Sequence, residues 1–168
     1  LCSNTTASYN IAIGYSAAFT NTNSTNLVAI GYKAAYSSAS NNLDSYGSTF
    51  VGTQAGNNAT SATDLTILGA YAAASNTTGS KNVAIGAAAL YSNTTQSNNT
   101  AVGYQAGYSG TTGAAGAVYV GYQAGYSITG TSNTMVGNQA GYNITTGRQI
   151  TYLETPQIGS IISISYFY

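Results

Sequence analysis

Reactive side chains are scarce in this chain, and the scarcity is the first constraint on its chemistry. There is no His, so neither a neutral-pH proton shuttle nor an imidazole metal ligand can be built. Cys2 is the single Cys and forms neither a zinc site nor an internal disulfide. An intermolecular disulfide, a lipidated terminus and an inert thiol all stay open for it. The acids Asp44, Asp64 and Glu154 stand far apart, so no glycosidase-type carboxylate pair is expected. The cations Lys33, Lys81 and Arg148 are scattered, whereas a nucleic-acid partner needs clustered Lys and Arg. No Gly-rich segment leads into Lys-Ser or Lys-Thr, so no phosphate loop is expected. The expectation is no catalytic residue, no cofactor, no metal and no nucleic acid.

Two residue groups remain. Asn4, Asn23, Asn58, Asn76, Asn93, Asn98 and Asn143 are each followed two residues on by Ser or Thr, which makes them acceptor sequons for N-glycosylation in an exported protein. Sixteen Tyr residues stand against three Phe and no Trp. Tyr91, Tyr108, Tyr126 and Tyr142, and also Tyr15, Tyr32, Tyr104 and Tyr122, recur at fixed points. They could stack on sugars, contact a partner chain, or simply stack on one another for stability.

What positions these residues is a repeat. An aliphatic residue followed by Gly recurs at Ile13-Gly14, Ile30-Gly31, Val51-Gly52, Leu68-Gly69, Ile85-Gly86, Val102-Gly103, Val120-Gly121 and Val136-Gly137, with steps of 17, 21, 17, 17, 17, 18 and 16 residues. Three residues after each Gly stands Ala: Ala17, Ala34, Ala55, Ala72, Ala89, Ala106, Ala124 and Ala140. Five residues after it stand Phe19, Tyr36, Asn57, Ala74, Tyr91, Tyr108, Tyr126 and Tyr142. A unit of about 17 residues is too short for a helical pair, and its Gly, Asn, Thr and Tyr content opposes helix.

The pattern predicts an all-β chain: a parallel β-solenoid, or β-roll, of about eight 17-residue coils with a C-terminal strand. Each coil is read as two short strands, such as Thr100-Ala101-Val102 and Gln105-Ala106-Gly107-Tyr108, with the Gly at the corner. The aliphatic residue before the Gly is placed inside, against the unvarying Ala, so that Ala89→Leu or Ala106→Leu should overpack the core by roughly 1–3 kcal/mol. Asn10, Asn26, Asn82, Asn99 and Asn133 mark the strand entrance. They fit either a stacked amide ladder or turn geometry alone.

Residues 1–9 form an N-terminal segment, 10–147 the repeats, and 148–168 a C-terminal segment that caps the solenoid or joins subunits. Within that last segment Ile162, Ile164, Tyr166 and Tyr168 alternate like a strand and are candidate subunit contacts by strand addition. With 43% hydrophobic residues and one Pro the chain is not a polar coil, and it has no apolar run long enough for a membrane helix. Neither a starting Met nor a basic segment leading into an apolar one is present, so we read the chain as processed or excerpted.

Units such as Asn82-Val83-Ala84-Ile85-Gly86 and Asn99-Thr100-Ala101-Val102-Gly103-Tyr104-Gln105-Ala106 resemble the head repeats of YadA-like trimeric autotransporter adhesins and related phage or surface-fibre repeats. The resemblance covers about four-fifths of the chain. It implies a parallel β-roll, export to a surface, an adhesive or fibre-building role, and lateral association of three chains. The units are longer than that family's, and Phe50, Ile67, Tyr119 and Met135 interrupt a column that is otherwise Ala.

The sequence therefore leads to a structural subunit of an extracellular or cell-surface fibre, joined end to end. Its expected partner is itself, as a homopolymer or a homotrimer. An adhesin or tail-fibre module that binds glycans or a cell surface is the alternative. Ice binding ranks third, because the Thr residues do not look to be in strict register on one strand. Only 4% of residues are charged, and stacking explains why: a charge kept in register would face its own sign up the ladder. Lys33, Lys81 and Asp64, the charges inside units, are read as sharing no register.

Overall fold

A computed structural model of the chain describes residues 3, 8–22, 24–37, 47–109, 115–145 and 149–153. Nine strands, one per coil, form a single parallel sheet in sequence order. They are β1 (Ile11–Ile13), β2 (Leu27–Ile30), β3 (Ser48–Val51), β4 (Thr66–Leu68), β5 (Val83–Ile85), β6 (Thr100–Val102), β7 (Val118–Val120), β8 (Thr134–Val136) and β9 (Thr151–Leu153). Among the described residues there is no helix, and the chain is an all-β solenoid. Neighbouring strands pair residue for residue: Val83 lies against Thr100, Ala84 against Ala101 and Ile85 against Val102. Strand β9 pairs with β8 in the same way, so the sheet runs past residue 147 into the segment that the repeat pattern leaves out.

The second strand of each coil is not a strand. In its place the chain makes a run of turns, because left-handed residues recur two and four positions after the corner Gly. Gln105 and Gly107 have φ of 52° and 63°, and Ala88 and Leu90 have 56° and 50°. Left-handed residues turn the chain back on itself and prevent an extended run. The coils are nonetheless bonded on this side too. Leu90 N–H donates to the Ala106 carbonyl at 2.9 Å and Ser92 N–H to that of Tyr108 at 3.0 Å. Nineteen non-Gly residues of the described chain have positive φ; isolated, each would be strained, and stacking against identical turns holds them.

The corner Gly is fixed by its neighbour rather than by its φ alone. A Cβ on Gly103 would lie 2.3 Å from the Gly121 carbonyl oxygen, and one on Gly86 would lie 2.4 Å from that of Gly103. Corners stack backbone on backbone, with no room for a methyl group.

The strand faces the other way from the sequence-based expectation. The residues before the Gly point outward: Ile13 is 59% and Leu68 46% exposed, while the middle residues Ala29, Phe50, Ile67, Ala84, Ala101, Tyr119 and Met135 are buried. The alternation of period two is as expected and its sense is inverted. The reason is steric and polar together. The two outward positions of each strand are bulky β-branched or Leu side chains, and a coil this thin has no space for both. The entrance residue, four before the Gly, must also point in, because its side chain serves the backbone of the next coil. Asn82 Oδ1 accepts from Asn99 N–H at 2.9 Å, and Asn99 Oδ1 from Ala117 N–H at 3.0 Å. Asn10, Ser48 and Asn133 do the same for Leu27, Leu65 and Ile150. Asn26 does not belong to this ladder: it sits one residue earlier, exposed, at φ 55°, and Leu27 takes the inward place.

The unvarying Ala column is buried as expected. Across from the strand, size is traded coil by coil. Where the inward strand residue is Phe50, Tyr119 or Met135, the residue four past the corner is Gly56, Gly125 or Gly141, and a Cβ there would meet that side chain at 2.2, 2.3 or 2.6 Å. Where the strand residue is Ala29 or Ala84, the partner is Ala35 or Leu90. Ala101 and Gly107 share one coil, and the space above and below Gly107 is filled by Tyr119 and Leu90.

Candidate functional site

Three surfaces carry the residues that the sequence singles out. The first is the turn face. Tyr91, Tyr108, Tyr126 and Tyr142 form one continuous ring stack, with centroids 5.1, 5.0 and 4.8 Å apart and planes within 14°. Shorter stacks pair Phe19 with Tyr36, Tyr15 with Tyr32, and Tyr104 with Tyr122. Between the Tyr columns runs an amide ladder in which Gln139 donates to Gln123 and Gln123 to Gln105, at 3.1 and 2.8 Å. In the second coil Lys33 takes the Gln position, and its ammonium lies 5.5 and 5.3 Å from the Tyr32 and Tyr36 rings, within cation–π range. Burial, then Tyr108, Tyr142 and Tyr104, push the Tyr126 phenol above its ordinary value. Stacked in this way, the rings cover one another's faces, and what they offer to solvent inside a ladder is edges and hydroxyls.

The sequons divide by one residue of register. Asn58 and Asn143, six past the corner, are exposed, as is Asn98 at a left-handed turn of φ 63°. Asn76 and Asn93, seven past the corner, are completely buried. Asn93 Nδ2 donates to Asn76 Oδ1 at 2.9 Å and to the Gln96 carbonyl at 3.1 Å, and Asn76 Nδ2 donates to the Gly79 carbonyl at 2.9 Å. The nitrogens that would carry a glycan are used inside the fold. Asn4 and Asn23 lie outside the described residues, as do Cys2, Asp44, Arg148, Glu154 and the proposed contacts Ile162, Ile164, Tyr166 and Tyr168.

The second surface is the outward face of the sheet. One column is Ile11, Val28, Thr49, Thr66, Val83, Thr100, Val118, Thr134 and Thr151. The other is Ile13, Ile30, Val51, Leu68, Ile85, Val102, Val120, Val136 and Leu153. Five Thr residues thus share the first column, interrupted by Ile11, Val28, Val83 and Val118, so the Thr residues lie on one face without filling every coil. The charges depart from the sequence-based expectation. Asp64 and Lys81 occupy the same left-handed corner of successive coils, with φ 59° and 58°, so one register does hold two charges, of opposite sign.

The third surface is the β1 end. Ala12, the inward residue of β1, is half-buried where Ala29 is fully buried, and Tyr9 beside it is 85% exposed. Inside the solenoid, sequence reasoning also missed Tyr119. Its hydroxyl is buried without a hydrogen-bond partner, and burial pushes its phenol well up. No group of three His, Cys, Asp or Glu is brought together among the described residues.

No family model, curated protein or solved structure matches this chain. The functional reading rests on these three surfaces.

Proposed function

We propose that this chain is a non-catalytic structural subunit of an extracellular or cell-surface fibre, in which solenoids stack end to end with one another. The observation that carries the reading is the β1 end. The coil interior continues to that edge without a polar lid among the described residues, leaving Ala12 half-buried where Ala29 and Ala84 are fully buried. A coil from a second copy, set in the same register, would cover Ala12 and extend both hydrogen-bond ladders, much as β2 does on the other side of β1. Open ladder edges recruit strands, and the apolar segment with Ile162, Ile164, Tyr166 and Tyr168 supplies one in sequence. Rigidity would come from bonding on both sides of every coil.

The adhesin reading has less support. Glycan recognition by aromatic rings uses ring faces, and the column of Tyr91, Tyr108, Tyr126 and Tyr142 turns its faces to one another in stacking. Negative-stain microscopy of the native chain and of a chain lacking residues 161–168 tests the proposal. Filaments are expected from the first and dispersed particles from the second; filaments that persist after the deletion refute end-to-end joining by this segment.

A further inference from the structure

We infer that the outward face of the sheet binds ice. Three properties of the face, independent of the ends, lead there. The face is regular: nine strands in residue-for-residue register present two columns. They repeat about every 4.8 Å along the axis and about 6.7 Å across it. The interval along the axis is near the short oxygen repeat of hexagonal ice. Units of 16 to 21 residues all conform to this register, since every change of length is absorbed on the way back to the sheet.

The side chains are also stiff. All eighteen positions are Ile, Val, Thr or Leu, and sixteen of them are β-branched, with one strongly restricted torsion. No position carries a charge, so no ion disturbs the water layer above. Water against such a surface is orientationally restricted over the methyl groups, and hydroxyls placed in the same register can anchor that layer.

Chemistry separates ice from a second protein copy as the occupant. One column mixes Ile11, Val28, Val83 and Val118 with Thr49, Thr66, Thr100, Thr134 and Thr151, and no hydrogen bond engages these five hydroxyls among the described residues. A dry interface would have to supply each with a partner, because a buried hydroxyl left unpaired is costly. Ordered water supplies them all. Ice also accounts for Val and Thr mixing freely in one column, where the two have the same shape and differ only in whether a methyl or a hydroxyl meets the lattice.

The test is thermal hysteresis and ice-crystal shaping in a nanolitre osmometer, with sedimentation of the same samples. The native chain is expected to separate melting from freezing and to produce faceted crystals. Thr66→Lys with Thr100→Lys should reduce the gap several-fold or more while the circular-dichroism melt is unchanged. Val102→Lys, in the other column, should do the same, and Gln123→Lys on the turn face should leave the gap intact. A native chain with no gap and round crystals overturns the inference, and so does hysteresis that survives the two-Lys variant. An oligomer that Thr66→Lys with Thr100→Lys dissociates, without hysteresis in either form, assigns the face to a second copy instead. Filament formation through residues 161–168 is read separately by microscopy, so either proposal can fail alone.

Discussion

The sheet face and the turn face of each coil are built from the same stacking rule and arrive at opposite surfaces. On the turn face, identical residues consume one another's chemistry: Tyr stacks on Tyr, Gln donates to Gln, and Thr60 and Thr77 hydroxyls donate to carbonyls of the next coil. On the sheet face, side chains stand beside their like and bond to nothing. Val and Ile have no directional groups to exchange, and the Thr hydroxyls make no hydrogen bond among the described residues. A ladder of polar or aromatic residues is therefore self-satisfied, while a ladder of β-branched residues remains available to something else. That difference is why we look for binding on the sheet face and for rigidity on the turn face.

The comparison breaks most completely where the faces meet. Gly103→Val places a side chain against the Gly121 backbone, where a Cβ already lies 2.3 Å from oxygen, at φ 134°. Backbone cannot move aside as a flexible side chain can, so a loss of more than about 4 kcal/mol is expected, seen as the disappearance of a cooperative melt by circular dichroism. Gly116→Ala is the control: its φ is 70° and nothing lies within 4 Å of the added Cβ. Only the left-handed conformation is then penalised, by roughly 1–2 kcal/mol.

A smaller change separates the faces. Asn93→Ala removes the donor to Asn76 Oδ1 and to the Gln96 carbonyl inside the turn side. Asn76 Oδ1 then lies buried without its donor, at a cost of about 1–3 kcal/mol, while the Gln96 carbonyl keeps the Asn82 Nδ2 donor at 2.7 Å. The melting temperature should fall by several degrees, and hydrogen exchange should quicken at Ser75 and Thr77 before it does at Thr66 or Val83 in the sheet. Asn58→Ala, exposed and one residue off this register, should change neither. Equal exchange on both sides after Asn93→Ala would mean that the faces do not differ in this way.

How much of this was legible in the sequence follows the same division. The repeat, the parallel stacking and the buried Ala column depend on spacing alone, and spacing is written in the chain. The sense of the strands is not, because hydrophobicity alone predicts the wrong face. Ile85 and Val102 are more apolar than Ala84 and Ala101, yet they point out. What decides is volume and the entrance Asn, whose inward side chain fixes the parity of the whole strand, and neither is a matter of hydropathy. The sequons divide for a related reason. Asn58 and Asn76 look equivalent by motif, and a shift of one residue puts the first in solvent and the second in the core. Size trading between Tyr119 and Gly125, by contrast, was visible as covariation between repeats once the facing positions are known.

The smallest expected effect lies between the two faces, at Tyr119. This ring spans the interior from the strand to Gly107 and Gly125, and its hydroxyl is buried without a partner. Tyr119→Phe keeps the ring and removes the unpaired group, so the melt at neutral pH should be unchanged or raised by up to about 1 kcal/mol. Its sharper consequence is at high pH. Burial raises the folded-state value of this phenol above the unfolded one of about 10. The unfolded chain therefore releases the proton first, and the stability present below pH 10 is lost progressively as pH rises above it. Melts between pH 9 and pH 11 should fall less steeply in Tyr119→Phe than in the native chain. Part of the slope should survive, because Tyr126 on the turn face is shifted in the same direction by burial and by the neighbouring Tyr residues of its stack. A slope unaltered by Tyr119→Phe would place all of the alkaline sensitivity on the turn face and none in the interior.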